Sequence, residues 1–266
     1  MMNRLSGVLS LRPAVGLVLG IVAGCATPPS ASDHDATAEY QQANDPAEPA
    51  NRGIFEGNRG IDTALLKPAA EGYRVLPQPA RDGVHNFLTN WQEPLVFIHD
   101  LLQGEVTRAG ETLIRFLTNT TIGFSGVGDV AGEGLGLHHH DEDMGQTLAV
   151  WGVDEGPYMM LPLLGPSNAR DTIGRVVDFV INPITFVLPI PVVATVGKIA
   201  VEGVDQRERH LEALDDVERT SIDFYASIRT LYRQRRAEEI RNGGTARGNG
   251  MFYEIEHSRT LGMSSH

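Results

Sequence analysis

The chain has one cysteine, Cys25, among its 266 residues. No disulfide can form within it, so a folded domain must rest on its packing alone. Lysine is almost missing as well: Lys67 and Lys198 are the only two among 22 basic residues. The other cations are arginines, whose planar guanidinium suits paired contact with carboxylate or phosphate. Positive charge is in short supply overall, with 34 acidic residues and a formal net charge of −12. Such a chain is repelled by nucleic acid over most of its surface, which excludes that class of partner. No apolar run is long enough for a comfortable transmembrane helix, which needs about 20 residues.

What is present begins with a leader. Arg4 and Arg12 precede an apolar stretch at 14–24, which ends in Val22-Ala23-Gly24 directly before Cys25. Residues 1–24 therefore read as a lipoprotein signal peptide, with Cys25 the lipidated residue; an ordinary signal peptide with an incidental cysteine is the alternative. Without the two leader arginines, 20 basic residues face 34 acidic ones. Ala26 after the cysteine is similar to the sorting signal for the outer rather than the inner membrane. Residues 25–44 form the lipidated cysteine and a polar tether, and 245–266 a loosely ordered tail.

Between them, 45–244 read as one mostly helical domain. Asp45-Pro46-Ala47-Glu48-Pro49 is a helix start. Ile54, Asn58, Ile61 and Leu65 follow at helical spacing, and Pro68 is expected to end the helix. Asn51, Arg52 and Asn58 give it a polar side, suited to a wet interior or to solvent. A second helix starts at Pro77–Pro79 and carries Val84, Phe87, Leu88 and Trp91. Glu93-Pro94 is expected to break it from a third with Leu95, Phe97, Ile98, Leu101 and Leu102, closed by Gly104. From Glu105, the residues Val106, Ala109, Leu113, Phe116, Leu117 and Thr120 keep helical spacing again. Residues 115–171 combine many glycines and prolines with large apolar groups, which predicts ordered turns and short elements packed between helices.

Residues 178–201 are the most apolar part outside the leader, but Pro183, Pro189 and Pro191 interrupt them. They read either as a buried hairpin or as a broken apolar element in one bilayer leaflet, with Ile184, Phe186, Val187, Leu188, Ile190, Val192 and Val193 as its membrane-embedded edge. Pro191 is placed to open a helix reaching about Asp215, and Thr220 or Ser221 to cap the next. That last helix has a stripe of Phe224, Tyr225, Ile228, Leu231 and Tyr232. Arg229, Arg233, Arg235, Arg236 and Arg241 crowd its end as a solvated face rather than a phosphate site.

Chemical motifs are weak. His138-His139-His140-Asp141-Glu142-Asp143 is the one metal candidate, yet three adjacent histidines cannot converge on one ion in regular structure. Ser125 and Ser167 lack the G-x-S-x-G elbow of a hydrolase. The glycines at 126 and 128 follow a helical pattern, not the strand that a dinucleotide site requires. No enzyme, metal or cofactor is expected.

A set of short motifs in fixed order is more specific. It comprises Asn51-Arg52 with Phe55 and Asn58, Leu66-Lys67-Pro68-Ala69, Pro77-Gln78-Pro79-Ala80-Arg81, Asn86-Phe87 with Glu93-Pro94, and Leu102-Gln103-Gly104. Arg115-Phe116 with Asn119-Thr120, Gly128-Asp129-Val130-Ala131-Gly132, Gly145-Gln146-Thr147-Leu148 and Trp151-Gly152-Val153 follow. Gly156-Pro157-Tyr158, Leu161-Pro162, Gly165-Pro166-Ser167 and Arg170-Asp171 complete it. This succession over roughly 45–243 resembles the MlaA/VacJ family of outer-membrane lipoproteins, with Met144 where the family usually has Phe. The resemblance implies a helical, ring-like (doughnut) domain lodged mainly in the inner leaflet of the outer membrane. It implies passage of misplaced phospholipid from the outer leaflet through an amphipathic channel to a soluble periplasmic lipid carrier, and association with a trimeric outer-membrane porin. The polar side of Asn51, Arg52 and Asn58 is then the candidate channel face. Arg115, Phe116, Asn119, Asp129, Gln146, Tyr158, Arg170 and Asp171 are motif residues with structural roles. An envelope scaffold that only binds porin, and a lipid hydrolase using Ser125 or Ser167, are the other two functions open at this point.

Overall fold

The computed structural model describes residue 40 and residues 43–184 and 192–241. The leader, Cys25, most of the tether and the tail lie outside these residues.

Helix α1 (Glu48–Ile61) has Pro49 in its first turn, as its sequence start predicts. The expected stop at Pro68 does not occur. Residues Asp62–Leu66 instead widen into a π-helical turn, where the Lys67 N–H reaches back to the Asp62 carbonyl. The wider turn moves the carbonyl four residues before Pro68 out of the way of its ring, and the chain continues as α2 (Lys67–Tyr73). The expected break at Pro94 is also absent: α3 (Gln78–Gln103) runs through it unbroken. Proline forfeits one backbone hydrogen bond there, while buried Glu93 and Val96 on either side hold the helix in place. Gly104, at φ 83°, closes α3 as the sequence suggested.

Helix α4 (Val106–Thr121) follows. Residues 115–171 then supply the anticipated short elements. These are α5 (Val130–Leu135), capped by Asp129, α6 (Met144–Val150), capped by Asp143, and an antiparallel hairpin of β1 (Tyr158–Leu161) and β2 (Gly165–Asn168). Helix α7 (Ala169–Ile181) is capped by Asn168, whose side chain accepts from the Asp171 N–H. Helix α8 (Val192–Arg209) stops at His210, short of the expected end near Asp215, and α9 (Leu211–Thr220) is separate. The final helix α10 (Phe224–Ile240) is capped by Asp223, not by Thr220 or Ser221. The Asp223 carboxylate accepts from the Ala226 N–H and also holds Arg52, a double use that a hydroxyl could not match.

The packing order returns to its start. Helix α1 passes through the π turn to α2, α2 lies on α8, α8 on α3, α3 on α6, and α6 on α10. Helix α10 meets β2, and β1 lies against α1. The fold is thus mostly α and ring-like, with α4 laid on α3 and α7 on α6 along one side. The α6–α7 contact is closer than any side chain would permit: a Cβ on Gly174 would sit 2.5 Å from the Gly145 nitrogen.

A small apolar core of Phe55, Tyr158, Met160 and Tyr225 joins α1, the hairpin and α10, with Phe224, Ile228 and Tyr232 against it. Phe55 meets Phe224 and Tyr225 edge-on at centroid separations of 5.3 and 5.5 Å.

Elsewhere the usual distribution is inverted. On α4 the buried residues are Ala109, Thr112, Arg115 and Asn119, while Val106, Leu113, Ile114 and Leu117 are exposed. Of the apolar stripe read from the sequence, Val106, Leu113 and Leu117 therefore face out, while Ala109 is buried. On α7, Arg170, Asp171 and Gly174 are buried, and Ile173, Val176, Phe179 and Val180 are exposed. Helix α8 buries Asp205, Arg207 and Glu208 and exposes Val193, Val196, Ile199 and Val201.

Candidate functional site: a polar cavity behind apolar faces

The inverted helices enclose charge, and each enclosed charge has a partner. Arg115, 2% exposed, donates from Nε to the Glu93 carboxylate at 2.9 Å. It also lies 3.2 Å from Asp129 and donates to the Leu137 carbonyl. Asn119 donates to Asp129 at 2.9 Å and accepts from the Ala131 N–H at 2.9 Å. Buried His99 bridges Thr147 at 3.0 Å and Asp178 at 2.8 Å, and Asp178 in turn receives the Met144 N–H at 3.1 Å. Arg236 holds Asp171 at 2.7 Å and Asp143 at 2.6 Å, tying α10 to α6 and α7.

Where α3, α4, the cap of α5 and the 136–143 strap meet, these groups leave a cavity of about 130 Å³. His85, Asn86 and Thr89 line it from α3, Arg115 and Asn119 from α4, with Asp129 and His139 closing it. At ~30 Å³ per water it has room for roughly four. Burial works against a charge on His139, but hydrogen bonds and charges from Asp141 and Glu93 outweigh it and push its pKa up to about 9. Asp141, bonded to the same ring at 3.0 Å, is held well below the usual carboxylate range although burial opposes it. His85 faces Asp205 at 2.8 Å on the other side. Such a lining can hydrogen-bond to both signs of charge in a partly enclosed space.

The loop between α4 and α5 is strained. Phe124 and Ser125 adopt φ of 53° and 60°, and Gly126 follows at 89°. Phe124 is exposed at the loop tip together with Ile122. Gly126 must be glycine, because a Cβ would lie 2.5 Å from that of Asn90. Leu163, at φ 65° in the hairpin turn, is likewise an exposed apolar residue in a left-handed conformation.

Four motif residues, Asn86, Arg115, Asn119 and Asp129, line the cavity. Phe116 lies half-buried on α4. Buried Gln146 donates to the Asp141 carbonyl at 3.0 Å and so anchors the strap. Tyr158 is in the apolar core, and Arg170 and Asp171 bond to each other at 3.1 Å beside Arg236. The Asn51 side chain is buried and committed: it donates to Asp45 and the Tyr158 carbonyl and accepts from the Met160 N–H. Asn58 repeats the contact seven residues on, donating to the Leu161 carbonyl at 2.9 Å and accepting from the Leu163 N–H at 2.8 Å. Both asparagines therefore bind the hairpin backbone. Arg52 pairs with Glu48 and Asp223 and stacks on the Tyr225 ring. Of the candidate membrane edge, Ile184 is half-buried and Val193 exposed; Phe186, Val187, Leu188, Ile190 and the side chain of Val192 lie outside the described residues.

The arginines at the end of α10 are not a solvated face as a group. Arg229 pairs with Asp45, Arg233 with Glu155, Arg235 with Glu239, and Arg236 is buried. Ser167 is buried, with its hydroxyl 3.0 Å from that of Thr172. His85 and Thr89 line the cavity but were not singled out from the sequence, and His139 was weighed there only as part of the metal candidate. The spacing of Thr112, Arg115 and Asn119 on one face of α4 was the available signal.

Residues 43–239 match the MlaA lipoprotein family. The chain belongs to that family. It is 35% identical over 235 residues to the intermembrane phospholipid transport system lipoprotein MlaA of Shigella flexneri, covering 87% of this chain and 88% of that protein. The same figures hold for the protein of that name from Escherichia coli strain K12. The Haemophilus influenzae counterpart is 30% identical over 232 residues, with 83% and 86% covered. A solved structure concerned with the structural basis for maintenance of bacterial outer membrane lipid asymmetry superposes with a TM-score of 0.67. It is 34% identical and covers 74% of this chain and 98% of that one.

Proposed function

We propose that this protein is an outer-membrane lipoprotein that removes phospholipid from the outer leaflet and so maintains lipid asymmetry. The observation that carries the reading is the inverted burial: α4, α7 and α8 turn apolar residues outward and enclose paired charges. In water those faces would be a liability, since a soluble monomer rarely exposes apolar patches of that extent. Against lipid they are the favourable arrangement, because ionisable groups at membrane depth face the protein interior and pair there. Among the described residues no helix is long and apolar enough to cross a membrane. This fits a ring seated in one leaflet and anchored by lipid on Cys25.

Dragging a phospholipid headgroup through hydrocarbon is costly, and a ring with a polar interior lowers that cost without any covalent step. The relatives are named for transport, and the function proposed here is likewise not enzymatic. In this reading the polar cavity at Arg115 and Asp129 lies along the headgroup's route. Asn51 and Asn58 serve the passage by holding the hairpin in register, and residues 184–193 form the leaflet-embedded edge. The lipid is handed to a periplasmic carrier, and a trimeric porin is the membrane partner.

The test is outer-leaflet phospholipid in intact cells. Deleting the gene should raise it, and the wild-type chain should restore it. A Leu113→Glu/Leu117→Glu variant, which charges only the exposed face of α4, should fail to restore it. No rise on deletion, with the partners present, would defeat the transport reading. Photo-crosslinkers at Ile184 and Val193 should label acyl chains; labelling confined to other regions would remove the edge assignment.

A further inference from the structure

A second cluster of metal-ligating groups lies beside the cavity but does not line it. At the C-terminal end of α3, Asp100 is joined by His140 and Glu142 from the strap. One ligand atom from each comes within 4.8 Å of the others. Both carboxylates are buried. Their outer oxygens are held by neutral donors: the Thr112 hydroxyl donates to Asp100 Oδ2 at 2.7 Å, and Gln103 Nε2 donates to Glu142 Oε2 at 2.6 Å. Their other oxygens turn to cations or to the imidazole. Asp100 Oδ1 lies 2.9 Å from His140 Nε2, and Glu142 Oε1 accepts from Arg108 Nη2 at 2.8 Å.

Carboxylates whose far oxygens are fixed by surrounding donors, and whose near oxygens converge with an imidazole, are the arrangement that orients ligands about a metal ion. Arg108 is the group that stands in the cation's place. Its Nε is 3.9 Å from Asp100 Oδ1, and its side chain is long and partly open to solvent, so it can leave. We propose that Asp100, His140 and Glu142 bind a divalent metal ion of the zinc class, with Arg108 as the cation that the metal displaces. One nitrogen and two carboxylate oxygens suit zinc, which takes few ligands at about 2.0–2.2 Å. Calcium and magnesium prefer all-oxygen shells of six or more. Only His140 of the three adjacent histidines takes part: His138 is exposed and His139 is bonded to Glu93 and Asp141. Bound metal would lock the strap that carries His139 over the cavity. The inference stands independently of the transport reading.

The experiment is thermal unfolding and calorimetric titration of the full-length protein in detergent, with zinc chloride against magnesium and calcium chlorides. Zinc at about a hundredfold over its Kd should raise Tm by roughly 5 °C. Magnesium and calcium should leave it unchanged. His140→Gln and Asp100→Asn should abolish the zinc effect, and His138→Gln should keep it. Arg108→Gln should tighten zinc about tenfold by removing the competitor. X-ray absorption at the zinc edge of the wild type should show one imidazole and otherwise oxygen. This measurement decides the matter if the ligand variants do not fold. Wild type that binds no zinc overturns the proposal even if Arg108→Gln binds it. So does a zinc effect that survives His140→Gln, or a shell with two or more imidazoles.

Discussion

Around Phe55 the molecule has an apolar core of the ordinary kind: Tyr158, Met160 and Tyr225 are buried against it, with Asn51 and Asp45 buried and hydrogen-bonded at its edge. Around Arg115 it is built the other way, with Glu93, Thr112 and Asn119 inside and Val106, Leu113 and Leu117 outside. The first region is held by apolar area removed from water. The second is held by ion pairs whose partners would be costly to separate. The difference teaches that one chain of mean hydropathy −0.15 can bury apolar groups in one region and charged groups in another, according to which way its helices are turned.

The comparison can be broken most sharply at the charged end. Arg115→Ala leaves Glu93 buried without its main partner and should cost about 3–5 kcal/mol of stability, read from urea unfolding in mild detergent. At the apolar core, Phe55→Ala should cost slightly less, about 3 kcal/mol, by leaving a cavity beside the rings of Phe224 and Tyr225. A transition that responds to one substitution and not to the other would mean that the two regions do not unfold together. Leu117→Ser, on the exposed face, should change unfolding by no more than ~0.5 kcal/mol yet weaken partition into phospholipid vesicles by roughly tenfold. A leucine on an ordinary soluble surface would show the same small change in unfolding without the loss of vesicle binding.

Acid should discriminate between the regions too. Burial raises the Asp171 pKa, but the Arg236 charge and hydrogen bond, with that from Tyr232, pull it below the ordinary carboxylate value. A depressed folded pKa contributes stability that is present above about pH 4 and lost as pH falls through the folded value. Urea midpoints should therefore drop on acidification below about pH 4, and Tyr232→Phe, which removes the 2.6 Å bond to Asp171, should lessen the drop. A modest effect is expected at the seam between α1 and the hairpin. Asn58→Ala removes two bonds to the backbone at Leu161 and Leu163 and should cost about 1 kcal/mol.

Much of this was legible residue by residue. Gly104 stops α3, Pro49 starts α1, and the glycine-rich centre does pack as short elements. Pro68 and Pro94 misled because a π turn and a well-anchored helix absorb them, and neither depends on local propensity. Asn51 and Asn58 lie on the polar side of α1, as their spacing indicates, but a spacing of seven says nothing about the hairpin from a hundred residues away that takes their hydrogen bonds. The cavity was hidden for the same reason: His85, Arg115, Asp129 and His139 are far apart in the chain.

The sequence by itself determined that the domain is mostly helical, that its long helices have an apolar and a polar stripe, and to which family the chain is similar. Only the tertiary structure decided which stripe turns inward. A helical period of 3.6 residues marks two faces but does not say which is inside. That choice depends on what surrounds the fold and on whether the polar stripe finds partners within it. On α4 those partners are Glu93 and Asp100 from α3 and Asp129 from the cap of α5, and they draw Arg115, Thr112 and Asn119 to the interior.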